Sequence, residues 1–139
     1  MQSLYERQVE SILGALGVAP PGKLTVLRGD TVRMTVAFSY RGTAINVTLR
    51  CSIGQRRLGI FDEIAYATKA ISLPESIDFV PYTAYADIST APIAPKTNYD
   101  IEAKISEYVG QTLVKIDDVI DVTGIPEFQD FRITDYSKV

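Results

Sequence analysis

Apolar and polar positions alternate along two neighbouring stretches of this chain. Val32, Met34, Val36, Phe38 and Tyr40 are interleaved with Thr31, Arg33, Thr35, Ala37 and Ser39. Ile45, Val47, Leu49, Cys51 and Ile53 are interleaved with Asn46, Thr48, Arg50 and Ser52. Side chains on a strand point to opposite faces with period two, so each stretch offers one face to a core and one to water. With Arg41-Gly42-Thr43 between them, the two read as an antiparallel hairpin. Leu24-Thr25-Val26-Leu27 and the turn Arg28-Gly29-Asp30 precede it.

The same pattern continues downstream. Ile64 and Tyr66 suggest a strand, and Ile71 and Leu73 resume on the other parity, so a bulge or a change of sheet is expected between them. Tyr82, Ala84, Ala86 and Ile88 mark another strand, and Tyr99, Ile101, Ala103 and Ile105 a further half-buried one. Residues 113–122 hold one or two more around Asp117-Asp118, and 128–136, with Phe131 and Ile133, reads as a closing strand. Gly54 to Gly59 reads as a basic loop and 108–111 as a turn. Seven or eight strands with turn signals about every ten residues favour an all-β antiparallel sandwich or barrel.

Ahead of the strands the period changes. Ser3 and Glu6 fit a capping box, and Leu4, Tyr5, Val9, Ile12, Leu13 and Leu16 share one helical stripe that Gly17 ends. Pro20-Pro21-Gly22 forbids continuation. The chain thus divides into an amphipathic helix (1–17), a Pro/Gly linker (18–22) and a β-sandwich domain (23–139). A helix of about 13 residues is not stable alone in water, so its stripe must lie on something. It covers its own sheet or docks on another chain, and in the second case self-association is the expected outcome. An α+β arrangement, the helix across one curved sheet, is the alternative architecture.

Composition narrows the chemistry. The chain has 139 residues, enough for one cored domain, and a net charge of −3 without the basic stripe a nucleic-acid partner needs. No apolar run approaches a spanning helix, so no membrane partner is expected. No basic n-region leads an apolar stretch at the start, which points to synthesis in the cytoplasm, with carriage in a virion still open. Histidine is absent, which removes the usual proton shuttle and the commonest zinc ligand. Cys51 stands alone, so neither a thiolate cage nor a Cys-His nucleophile can form, and it reads as a buried structural thiol. No catalytic residue, cofactor or metal ligand is assigned.

The remaining motifs have plain readings. Arg28-Gly29-Asp30 spells an integrin-recognition tripeptide but reads as a turn feeding a strand. Asn46-Val47-Thr48 is a glycosylation sequon placed mid-strand. Asp117, Asp118 and Asp121 form the densest acidic cluster. They lack calcium-loop spacing and read as solvated edge charges. Eight tyrosines in a chain without tryptophan belong mostly to the core edge; Tyr85, opposite in parity to Tyr82, is the candidate for a binding surface.

The run Leu27 to Val36, followed by Tyr40-Arg41-Gly42, resembles the opening strands of bacterial and phage-type immunoglobulin-like domains of the fibronectin III or CARDB kind. Asn98 to Ile105 is similar to their penultimate strand, although Pro95-Lys96-Thr97 replaces the usual Pro-Gly introduction, and no Cys-Trp-Cys framework is present. The resemblance implies an immunoglobulin-like sandwich used for adhesion, spacing or assembly, and suggests a phage or mobile-element source. A non-catalytic structural or protein-interaction module is the expectation. A small-ligand or carbohydrate-binding β-domain is the first alternative and a carboxylate-based enzyme the second.

Overall fold

A computed structural model describes residues 22–139. The expected N-terminal helix, with Leu4, Tyr5, Val9, Ile12, Leu13 and Leu16, lies outside the described residues, as does nearly all of the linker. The described chain is an all-β sandwich of seven strands: β1 (Leu24–Leu27), β2 (Thr31–Gly42), β3 (Ile45–Arg57), β4 (Ile60–Leu73), β5 (Ser76–Ser89), β6 (Lys96–Ile105) and β7 (Val114–Thr123). Five form one sheet in the order β1-β7-β6-β3-β4, and β2 and β5 form a second. All pairs are antiparallel except β1 with β7, which run parallel.

The expected hairpin between β2 and β3 is corrected. β2 pairs with β5, from Thr31↔Ser89 to Gly42↔Ser76, while β3 pairs with β4, from Ile45↔Leu73 to Arg57↔Ile60. Residues 31–89 are therefore a single long hairpin whose tip is Leu58-Gly59. It bends where Thr43-Ala44 and Pro74-Glu75 cross side by side between the two sheets. Alternation identified both strands, but period two is blind to which neighbour a strand takes. The bend falls at Gly42, whose φ of 138° and register shift turn the strand out of its sheet. A Cβ there would meet the Tyr40 hydroxyl at 2.8 Å.

Folding the ribbon over stacks Val32, Met34, Ala86 and Ile88 on Val47, Leu49, Cys51 and Ile53, with Tyr99, Ile120 and Val122 completing the core. Leu49, Cys51 and Ile53 are fully buried. Burial also pushes the Cys51 thiol up to about 11. At the end of the sandwich where β7 finishes, buried Thr90 latches the Arg28-Gly29-Asp30 turn. Its hydroxyl accepts from the Gly29 N–H and donates to the Asp30 carbonyl, while its own N–H donates to the same carbonyl.

Other expectations shift with register. β4 runs unbroken from Ile60 to Leu73, with no bulge between Tyr66 and Ile71; the irregularity lies earlier, opposite Ile53/Gly54. Gly54 to Arg57 belong to β3, so the basic loop shrinks to a two-residue turn. Residues 106–112 form a 3-10 turn and one turn of α-helix. The closing strand expected over 128–136 does not form, and the chain after Thr123 takes no regular structure.

Candidate functional site

Among the described residues, the sandwich is open at the end where the ribbon bends. There β2 and β3 diverge, and a cleft of about 540 Å³ lies between the second half of β2, the start of β3, the end of β6 and the first residue of β7. Val36, Phe38, Val47, Leu49 and Leu73 give it an apolar lining, while Tyr40, Arg41, Phe79, Tyr108 and Val114 stand around it. Its size falls within the roughly 300–1,000 Å³ of clefts that take ligands or anchoring side chains. The rim is unusually greasy. Phe79 is 61% exposed and Tyr108 44%, and Val109, Leu113 and Val114 nearby are likewise exposed. The Arg41 guanidinium lies over the Phe79 ring, 4.4 Å from its centroid, and has no carboxylate partner among the described residues.

A second feature lies at the opposite end. After Thr123, residues 124–139 extend as an arm, every one of them exposed. Phe128 (89%), Phe131 (95%), Ile133 (86%) and Tyr136 (92%) have almost their whole surface in water. The arm's side-chain hydrogen bonds are local, Arg132 to the Asp130 carbonyl and the Tyr136 N–H to Asp135. Isolated exposed apolar residues are ordinary, but four large ones within nine positions are the mark of an interaction segment.

Among the described residues, Tyr85 and the Asp117, Asp118 and Asp121 cluster do not gather at either feature. Tyr85 is on the outer face of the two-stranded sheet, with the Arg33 guanidinium 3.9 Å above its ring and Arg33 paired to Asp87. The acidic cluster disperses. Asp117 binds Arg56 Nε at 3.1 Å, while Asp121 accepts from the Asn98 N–H and from Lys23. Asp118 takes φ of 55°, which breaks the strand's alternation.

Acidic side chains that alternation assigns to a solvated face are in fact buried. On the outer side of the five-stranded sheet, Asp100 accepts the backbone N–H groups of Arg56 and Asp118, at 2.7 and 2.8 Å. It thereby ties β3, β6 and β7 together. Glu102 lies 3.6 Å from Arg56 Nη1. Glu102 and Asp117 flank the Arg56 guanidinium rather than a cavity, and among the described residues no group of His, Cys, Asp and Glu is arranged to hold a metal.

The perturbed carboxylates all shift downward. Arg50, with help from the Ser52 hydroxyl, holds Glu63 below the ordinary range; Arg33 does so for Asp87, the Thr48 N–H for Glu107, and the Asn98 N–H with Lys23 for Asp121. A depressed folded-state pKa contributes stability above the unfolded value that is lost as pH falls through the folded one. Stability should therefore hold level from about pH 6 to 8, with no histidine to titrate there, and decline below the unfolded values of 4.5 and 3.8. Above 9 it should decline again, because the unfolded Cys51 thiol ionises while the buried one does not. Urea unfolding at fixed pH values tests this, and Glu63→Gln should flatten some of the acid limb.

No protein-family model matches the chain, and no curated protein matches it. Among the described residues, no helix is long and apolar enough to cross a membrane.

Proposed function

We propose that this chain is a non-catalytic immunoglobulin-like module that joins protein chains together, an assembly component of the kind the sequence resemblance suggests. The immunoglobulin-like reading is supported by the strand order β1-β7-β6-β3-β4 facing β2-β5, together with the parallel β1–β7 edge. The exposed arm carries the assembly reading. Burying one large apolar side chain stabilises by roughly 1.5–3 kcal/mol, so Phe128, Phe131, Ile133 and Tyr136 offer on the order of 6–12 kcal/mol gross. A micromolar contact corresponds to about −8 kcal/mol and must also overcome the loss of free motion on association. The arm alone approaches that scale, and other contacts can supply the rest.

The first partner to test is another copy of the chain. The assembly reading rests on the arm; the N-terminal stripe, expected to self-associate if it docks outside its own domain, lies outside the described residues. A chain ending at Thr123 is expected to remain folded, since the arm contributes nothing to the core, and to have a lower mass by light scattering than the full chain at the same concentration. Equal masses across the micromolar range would remove the assembly reading.

The tyrosines of the cleft, Tyr40 and Tyr108, keep a small-ligand reading in view. The Tyr40 hydroxyl is already committed to the Thr43 carbonyl at 2.6 Å, and Val36, Phe38, Val47, Leu49 and Leu73 give the cleft an apolar patch that suits an apolar side chain better than a sugar.

A further inference from the structure

We infer that the arm of one copy seats in the bend-end cleft of the next, so that the protein assembles head to tail. This rests on the assembly reading above and names the surface that receives the arm.

The two features are complementary in chemistry. The cleft has an apolar patch of Val36, Phe38, Val47, Leu49 and Leu73, is lined also by Lys104, and carries an arginine stacked on a phenylalanine with no carboxylate partner among the described residues. Among the described residues, no aspartate or glutamate lines it. The arm repeats an acid directly followed by an aromatic: Glu127-Phe128, Asp130-Phe131 and Asp135-Tyr136. Each pair supplies what the rim lacks, a carboxylate for Arg41 and an apolar group for the cleft. A guanidinium over an aromatic face gains further from an anion on its open side, because the charge-assisted hydrogen bond is the stronger one.

They are complementary in position as well. β7 begins at the cleft with Val114 and ends with Thr123 at the far end, where the arm leaves. Ten residues of strand set these ends about 30 Å apart. The arm's sixteen residues span at most about 55 Å when extended, long enough to cross to a neighbour while Phe128 and Phe131 reach into it. Donor and acceptor are different patches on the same molecule, so the contact is heterologous. Such a contact closes into a ring when the rotation between copies allows and otherwise runs on as a filament.

The test uses two full-length variants. The first, Phe128→Ser with Phe131→Ser, keeps the cleft and disables the arm. The second, Phe79→Asp with Tyr108→Asp, keeps the arm and spoils the rim at two side chains that are already exposed, so the fold should be retained. Sedimentation of each alone should show monomer, with self-affinity at least 100-fold below that of the unmodified chain. An equimolar mixture should give a 1:1 dimer that grows no further, because only one arm and one cleft remain competent. Adding Arg41→Glu to the first variant should weaken that dimer about tenfold.

A mixture that stays monomeric overturns the proposal. If the arm variant loses self-association while the rim variant keeps it, the arm docks on another surface, such as a free strand edge; the proposal falls and the assembly reading stands. If the rim variant keeps its mass but melts at a clearly lower temperature, the cleft is filled from the chain's own residues 1–21, and the proposal also falls. If the arm variant keeps full self-association, both readings fall together.

Discussion

Gly54→Ala is expected to cost about 3 kcal/mol, a large share of the stability of a domain this size. Gly54 is buried in β3 at the point where the register with β4 slips, after Ile53↔Ala65 and before Gly54↔Glu63. The two backbones close together there. An added Cβ would land on the Asp62 carbonyl oxygen and lie 3.0 Å from the Glu63 Cα, and neither can rotate away as a side-chain tip could. Relief requires that β4 move, and Glu63 moves with it, away from Arg50 and Ser52. Urea unfolding of the purified variant measures the loss. Gly110→Ala is the control, since nothing lies within 4 Å of its added methyl, and it should change stability by only a few tenths of a kcal/mol. A Gly54→Ala variant within about 1 kcal/mol of the parent would show that this irregularity is not placed as described.

The second large effect is at Arg56. Its side chain is 16% exposed and that of Glu102 10%, so the pair sits largely out of water. Removing one member of a buried pair leaves the other's charge uncompensated, a loss of about 3–5 kcal/mol in comparable cases. Asp117 is half exposed and adds little. Arg56 Nη2 is already buried without a hydrogen-bond partner, which trims what the arginine contributes. Arg56→Met should therefore destabilise by about 3 kcal/mol, the guanidinium over the Phe61 ring being lost as well. Adding Glu102→Gln to the methionine variant removes the stranded charge and should recover more than half. If the double variant is no better than the single, packing rather than charge is what Arg56 provides.

The features of this fold that sequence reveals are those set by a residue and its immediate neighbours. Strict alternation from Thr31 to Tyr40 and from Tyr99 to Ile105 locates β2 and β6, and the inward residues are the expected ones. Pairing is another matter. β2 and β3 adjoin in sequence yet belong to different sheets, because the ribbon is held by partners some 30 to 60 residues away at its open half. No local period carries that information. Asp100 and Glu102 occupy the polar parity of β6, and only the approach of Arg56 and of the irregular turn at Asp118 covers them.

The candidate site is less legible still. The cleft is assembled from β2, β3, β6, β7 and the start of β5, with no contiguous motif. The arm does leave a trace, but Phe131 and Ile133 alone mimic a closing strand. Phe128 and Phe131 are three apart, as are Ile133 and Tyr136, and that spacing breaks the alternation a half-buried strand requires.

The parallel edge decides how the molecule bears tension. Leu24 stands beside Ile120 and Leu27 beside Thr123, so a pull on the arm and an opposing pull on the chain ahead of Leu24 act along the two strands in opposite directions. The rungs between β1 and β7 are then loaded in shear and must slip together instead of unzipping singly. A subunit gripped through its arm would resist stretching at this four-residue clasp, well before its longer ladders felt the load.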